Sequence, residues 1–200
     1  MQGPRIDYWI SVASPWTYLG SARFIALARR YRCAVIVRPV DLGKVFAATG
    51  GTPFPQRSPQ RQAYRQVELA RWSRRLELPI NLEPRFYPVD RAPASQLLIA
   101  AQEQGHDVLE LSHAILSAIW AEDRDISDWR TLQSISDRCG LPGQSLVASS
   151  QPAEVARAFA DETGAAVAAG VFGAPSYVLK GEIFWGQDRL DFLEEALARS

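Results

Sequence analysis

The sequence predicts an α/β protein, a small sheet interrupted after its second strand by a large all-helical insertion. Three observations lead there. A strand–helix–strand unit occupies Arg5 to Val40. The long stretch from Gly50 to Ala169 contains no convincing strand. From Ser176 onward the chain returns to strand, strand and helix. This order fits a thioredoxin-like sheet with an insert. Residues 1–45 and 170–200 are expected to form the sheet-bearing domain, and residues 46–169 the inserted helical domain.

Arg5 to Ser11 alternates loosely and is rich in Ile, Tyr and Trp, the pattern of a strand. Ser14-Pro15 then opens a helix. Serine fits an N-cap, and proline fits the first helical position, where its missing N–H costs nothing. The helix extends to about Tyr31. Cys33 to Val40 is a β-branched second strand, so the pair should run parallel with a right-handed crossover. Gly50-Gly51-Thr52-Pro53-Phe54-Pro55 reads as a loop. Gln60 to Leu76 reads as a polar helix, and Arg57, Arg61 and Arg65 read most simply as a solvated face. Pro79 to Pro93 should be mostly irregular. Ala94 to Ala169 should be helical in pieces, with breaks near Gly105, at Asp123 to Asp128, and at Gly140-Leu141-Pro142-Gly143. Ser176–Leu179 and Glu182–Trp185 flank Lys180-Gly181 as a short hairpin. Asp188 to Arg199 closes the chain as an amphipathic helix, with Leu190, Leu193 and Leu197 on one side.

Composition narrows the function. The chain has 200 residues, with 22 basic and 22 acidic side chains, so the formal net charge is zero. A nucleic-acid binder needs a basic excess to neutralise phosphates, and none exists here. No run of about 18 apolar residues is present to span a membrane. No charged segment followed by an apolar one opens the chain, so the expected location is the cytoplasm. Cys33 and Cys139 lie far apart, which excludes both a disulfide scaffold and a Cys-x-x-Cys pair. His106 and His113 are two lone histidines that read most simply as surface or core residues, so no metal site is expected.

Two short motifs carry the chemistry. In a thioredoxin-like fold the corner between first strand and first helix holds a Cys-Pro-x-Cys redox pair, where the helix N-terminus stabilises a thiolate. Here the corner reads Ser14-Pro15-Trp16-Thr17. The place for a sulfur anion is kept, but the sulfur must come from another molecule. Gly173-Ala174-Pro175-Ser176 precedes the third strand, where such folds place a cis-proline. The main chain of Ala174 could then pair with a short extended peptide. A peptide thiol held beside Ser14 suggests glutathione.

Ser-Pro-Trp-Thr-Tyr-Leu-Gly at 14–20, Val-Phe-Gly-Ala-Pro-Ser at 171–176 and Trp-Gly-Gln-Asp-Arg-Leu at 185–190 closely resemble the 2-hydroxychromene-2-carboxylate isomerase family. That family is related to kappa-class glutathione transferases and to DsbA-type oxidoreductases. Asp41-Leu42, Arg71-Trp72 and Pro88-Val89-Asp90 agree in order and spacing, so the resemblance spans nearly the whole chain. It implies glutathione as cofactor, an aromatic carboxylate as substrate, and a homodimer. It implies that the Ser14 hydroxyl stabilises the glutathione thiolate, that Ala174 beside Pro175 pairs with the cysteinyl main chain, and that Trp185, Gly186, Gln187 and Asp188 hold the γ-glutamyl end. For the aromatic carboxylate the candidates are Phe46, Gln56, Arg57 and Phe86. Phe46 departs from the lysine that some family members carry there, which bears on the identity of the ring substrate. The implied activity is a glutathione-dependent isomerisation to a trans-o-hydroxybenzylidenepyruvate-type product. A kappa-like transferase and a non-catalytic thiol-peptide binder use the same residues and stay open as alternatives.

Overall fold

The computed structural model describes residues 3–199. Four strands, β1 (Arg5–Ile10), β2 (Ala34–Pro39), β3 (Ser176–Leu179) and β4 (Glu182–Trp185), form one sheet in the order β2-β1-β3-β4. β1 and β2 are parallel, with Ile10 opposite Pro39. β3 runs antiparallel to both neighbours, with Ser176 opposite Trp9 and Trp185. Helix α1 (Pro15–Arg30) makes the crossover. Between β2 and β3 lie α2 (Leu42–Thr49), α3 (Pro59–Leu76), α4 (Ala92–Glu103), α5 (Leu109–Trp120), α6 (Trp129–Arg138), α7 (Gly143–Ser150) and α8 (Ala153–Ala168). After β4 comes α9 (Leu190–Ala198). This is the mixed sheet with a helical insertion that the element order predicts.

The alternation of β1 explains its position. Ile6, Tyr8 and Ile10 point to one face, where Tyr8 meets Phe24 of α1 and stacks on Tyr177 of β3. Trp9 points to the other face, packing with Val40, Val45 of α2 and Ala166 of α8. Both faces of the sheet are therefore covered. The helical segment is not a separate body: Leu97, Leu98, Leu116 and Ile119 share one continuous apolar core with Ile6, Tyr8 and Leu193.

Two elements differ from the sequence expectation. Helix α2 sits where no element is anticipated and crosses the boundary expected between residues 45 and 46. Its ends are well signalled: Asp41 caps it by accepting from the Gly43 N–H at 2.9 Å, and Gly50 ends it in the left-handed region. The last helix starts at Leu190 rather than Asp188, because Gln187–Arg189 forms a separate 3-10 turn.

Candidate active site

The two chain ends meet at one corner of the sheet. β1 delivers Ser14 to the N-terminus of α1. Because β3 runs antiparallel, its opening residue Ser176 lies beside Trp9, and Ala174-Pro175 sits next to that same corner. Ser14 is extended and only 6% exposed. Its Oγ accepts from the Thr17 N–H at 3.2 Å. No acceptor takes its O–H among the described residues. The first turn of α1 carries no acidic residue, so nothing in the helix offsets the positive end of its dipole.

The Ala174–Pro175 bond is cis, as the motif predicts. Ala174 is 8% exposed, and neither its N–H nor its C=O has a hydrogen-bond partner among the described residues. An almost buried main chain rarely leaves both groups unpaired. The turn itself is tied down: Ser176 Oγ donates to the Gly173 carbonyl at 2.8 Å, and the Pro175 carbonyl accepts from the Gly186 N–H at 2.9 Å. That last bond draws the Trp185–Asp188 segment to the same corner.

Gly186 has φ 112°, a conformation that needs glycine. The residues around it divide. Trp185 is 50% exposed, and its ring lies edge-on to Phe172 at 4.7 Å. Gln187 turns inward at 2% exposure, where Arg23 of α1 donates to both its carbonyl (2.8 Å) and its side-chain oxygen. Its side chain thus fixes the loop to α1 rather than facing a ligand. Asp188 is exposed and pairs with Arg189 at 2.7 Å. The main-chain N–H groups of Gln187 and Asp188 have no partner among the described residues.

The candidates for a second substrate fall into two groups. Arg57 Nε donates to the Thr52 carbonyl at 2.9 Å, and Gln62 Nε2 donates to the Arg57 carbonyl at 2.8 Å, so this loop is held at the start of α3. Gln56 is exposed in the 3-10 turn Phe54–Gln56. Phe46 folds back against Gly51. Phe86 lies under the Arg85 guanidinium at 4.6 Å, and the Arg85 N–H donates to Asp123 at 2.7 Å, toward the α5–α6 connection. Neither phenylalanine makes a ring contact with the aromatics around the Arg57 loop among the described residues.

Arg65 corrects the reading of these arginines as a solvated face. It is buried to 8% exposure, with its guanidinium 4.3 Å from the ring centre of Phe54 and 6.0 Å from those of Tyr87 and Trp120. The three rings come from three separate segments, so no local pattern around Arg65 could announce its burial. Burial pulls the arginine pKa down, Tyr87 opposes this, and the neighbouring Arg57 adds to it. The corner's electrostatics leave the native cysteines aside: burial raises the thiol pKa of both Cys33 and Cys139, and both are free.

Cavities of about 360 and 490 Å³ lie against β4 and α9 and against residues 80–83, and neither is lined by Ser14, Ala174 or Arg65. The candidate site is therefore marked by unpaired polar groups rather than by the size of a cavity.

Comparison with known proteins agrees with this architecture. The DSBA-like thioredoxin domain matches residues 5–198. The chain is 29% identical to a 2-hydroxychromene-2-carboxylate isomerase of Sphingobium xenophagum, over 96% of this chain and 97% of that protein. It is 24% identical to glutathione S-transferase kappa 1 of Rattus norvegicus, over 95% of this chain and 89% of that one. Among solved structures, a 2-hydroxychromene-2-carboxylate isomerase superimposes with a TM-score of 0.80 at 24% identity, covering 98% of this chain and 95% of the other.

Proposed function

The chain belongs to the DSBA-like thioredoxin family, and on that premise we propose that it is a glutathione-dependent isomerase of 2-hydroxychromene-2-carboxylate-type substrates. Its products are of the trans-o-hydroxybenzylidenepyruvate type. Similarity to proteins named as that isomerase supports the reaction class, and similarity to a kappa glutathione transferase supports the cofactor. One observation carries the reading: an unused hydroxyl proton at a helix N-terminus, beside an unpaired main-chain N–H and C=O at Ala174.

Glutathione, when bound, would supply the thiolate for addition to and elimination from the conjugated system, with opening of the hemiketal C–O bond in between so that the former double bond can rotate. The chain's own groups then have distinct work. Ser14 directs its O–H to the sulfur and, with the α1 N-terminus, favours the anion over the thiol. Ala174 offers one donor and one acceptor to the cysteinyl main chain, as an added strand would use them. The N–H groups of Gln187 and Asp188 suit the γ-glutamyl carboxylate, and the Asp188 carboxylate suits the adjacent ammonium by exchanging part of its pairing with Arg189. The exposed face of Trp185 covers the same end. Arg57, the exposed Gln56 and the phenylalanines Phe46 and Phe86 are the proposed surroundings of the second substrate. The protein is proposed to act in the cytoplasm as a homodimer.

The similarity to a kappa transferase favours a second reading, conjugation of electrophiles at the same corner. Two assays separate them. Isomerisation of 2-hydroxychromene-2-carboxylate should start only when glutathione is added, with no net consumption of thiol. Stoichiometric loss of thiol with an aryl halide, and no isomerisation, would instead establish the transferase.

A further inference from the structure

We propose that Arg65, set against Phe54, Tyr87 and Trp120, is the residue that receives the carboxylate of the second substrate. The identity of the substrate rests on the isomerase reading. The anion site itself rests on the cluster described here.

Arg65 projects from α3 and is more than nine-tenths buried, yet no hydrogen bond or ion pair to its guanidinium exists among the described residues. A guanidinium carries five N–H donors and has no acceptor of its own. The rings of Phe54, Tyr87 and Trp120 attract its charge through their faces but leave those donors unused. The groups that act on it are a tyrosine and a second cation, Arg57, with no carboxylate in reach. Trp120 adds another donor, because its indole N–H is also buried without a partner. A cluster with two kinds of unpaired donor, aromatic faces and no acidic partner among the described residues is complementary to an aromatic carboxylate. Buried charge is normally paired, so the missing partner points to a ligand.

The cluster also lies on the correct end of the molecule. β1 and β2 are parallel, so the chain leaves both at the same end: once into Ser14, once into α2 and the loop bearing Phe54 and Arg57. One turn into α1, Tyr18 donates to the Pro79 carbonyl at 2.6 Å. This ties the Ser14 helix to the segment that runs on to Tyr87, whose ring lies 5.0 Å from Trp120. The Trp120 carbonyl in turn accepts from the Asn81 N–H at 2.6 Å.

The test uses two non-reactive planar probes, chromone-2-carboxylate and its methyl ester, titrated calorimetrically into the full-length protein. The wild-type protein should bind the acid about tenfold more tightly than the ester, the difference expected of one charge-assisted contact. Arg65→Gln should erase that preference, leaving ester binding and glutathione binding unchanged. Arg65→Lys, which keeps the charge and its packing stem, should retain part of the preference, and it decides the matter if the glutamine variant does not fold. Equal wild-type affinity for acid and ester, no binding of either, or an undiminished preference in a folded Arg65 variant would each overturn the assignment. Should the acid bind through Arg65 while glutathione does not bind at all, the anion site stands and the isomerase reading falls.

Discussion

Ser14 performs two tasks with one oxygen. A lone pair caps α1 through the Thr17 N–H, and the proton remains available for a sulfur anion. Ser14→Ala should therefore cost about 1 kcal/mol of stability for the lost cap. It should also lower glutathione-dependent isomerisation by about a hundredfold, the scale of removing one donor to a developing anion. Thermal denaturation and initial rates on the same preparation check both effects, and a full rate with a lowered melting point would reduce Ser14 to a cap. Ser14 was legible in the sequence because capping is local: Ser-Pro at a strand–helix junction has little else to do. Ala174-Pro175 was legible from the element order, which puts it just before the third strand, where such folds hold a cis-proline. The Gln187 side chain is held by Arg23, distant in sequence, which leaves its main-chain N–H for the γ-glutamyl end. Arg65 was read as solvated because its burial depends on Phe54, Tyr87 and Trp120, which only the folded chain assembles.

Between elements, two half-buried polar contacts bear on the response to acid. Arg38 of β2 donates to Asp7 of β1 at 2.8 Å and to both carboxylate oxygens of Glu162 on α8 at 2.8 Å, while also covering the Trp9 ring. Burial alone would raise the Asp7 pKa, but the bonds and charges of Arg38 and Arg5 outweigh it and hold the carboxyl below its usual value. A depressed carboxyl contributes stability that is present above the unfolded value, about 3.9, and is lost as pH falls through the folded one. Asp7→Asn should flatten the loss of stability below about pH 4, measured by urea unfolding across that range. An unchanged acid profile would contradict it. His113 of α5 acts in a higher window. Its Nδ1 lies 2.7 Å from Ser21 Oγ of α1, whose hydroxyl also reaches the Tyr18 carbonyl at 2.9 Å. Burial lowers the His113 pKa against a smaller opposing pull from Glu110. Stability from the neutral ring is therefore full above about pH 6.5 and declines as pH drops toward the folded value. His113→Gln should remove that upper decline and leave the Asp7 step in place. The element that the sequence left undescribed, α2, shows a limit of reading by blocks: its cap signals Asp41 and Gly50 were present, but one short helix between a strand and a glycine-rich loop adds little periodicity.

Over the whole molecule, the order of strands and helices was enough to place the sheet, because strand patterns at both ends bracket a long stretch without any. The union of the insertion with the sheet in one core was not legible, since the place of Leu116 and Ile119 in the same core as the sheet residues depends on how the helices turn. A shared core predicts one cooperative transition: far-ultraviolet dichroism and tryptophan fluorescence should give coincident melting curves. Two separated transitions would show the helical segment to be an independent unit. The shared core also explains why a corner assembled from residues 14, 174 and 186–188 can be held rigidly, with Arg23 and the Pro175 carbonyl fixing the last loop to the first helix and the third strand. The measurement that bears most directly on this corner is the pH titration of the glutathione thiol in its complex, followed by thiolate absorbance. A free cysteine thiol titrates near about 8.5. Bound to the wild-type protein it should titrate clearly lower, and in Ser14→Ala it should move back toward the free value. A bound thiol that titrates as it does in solution, or identically in the two proteins, would contradict the assignment of Ser14 as the group that keeps the sulfur ionised.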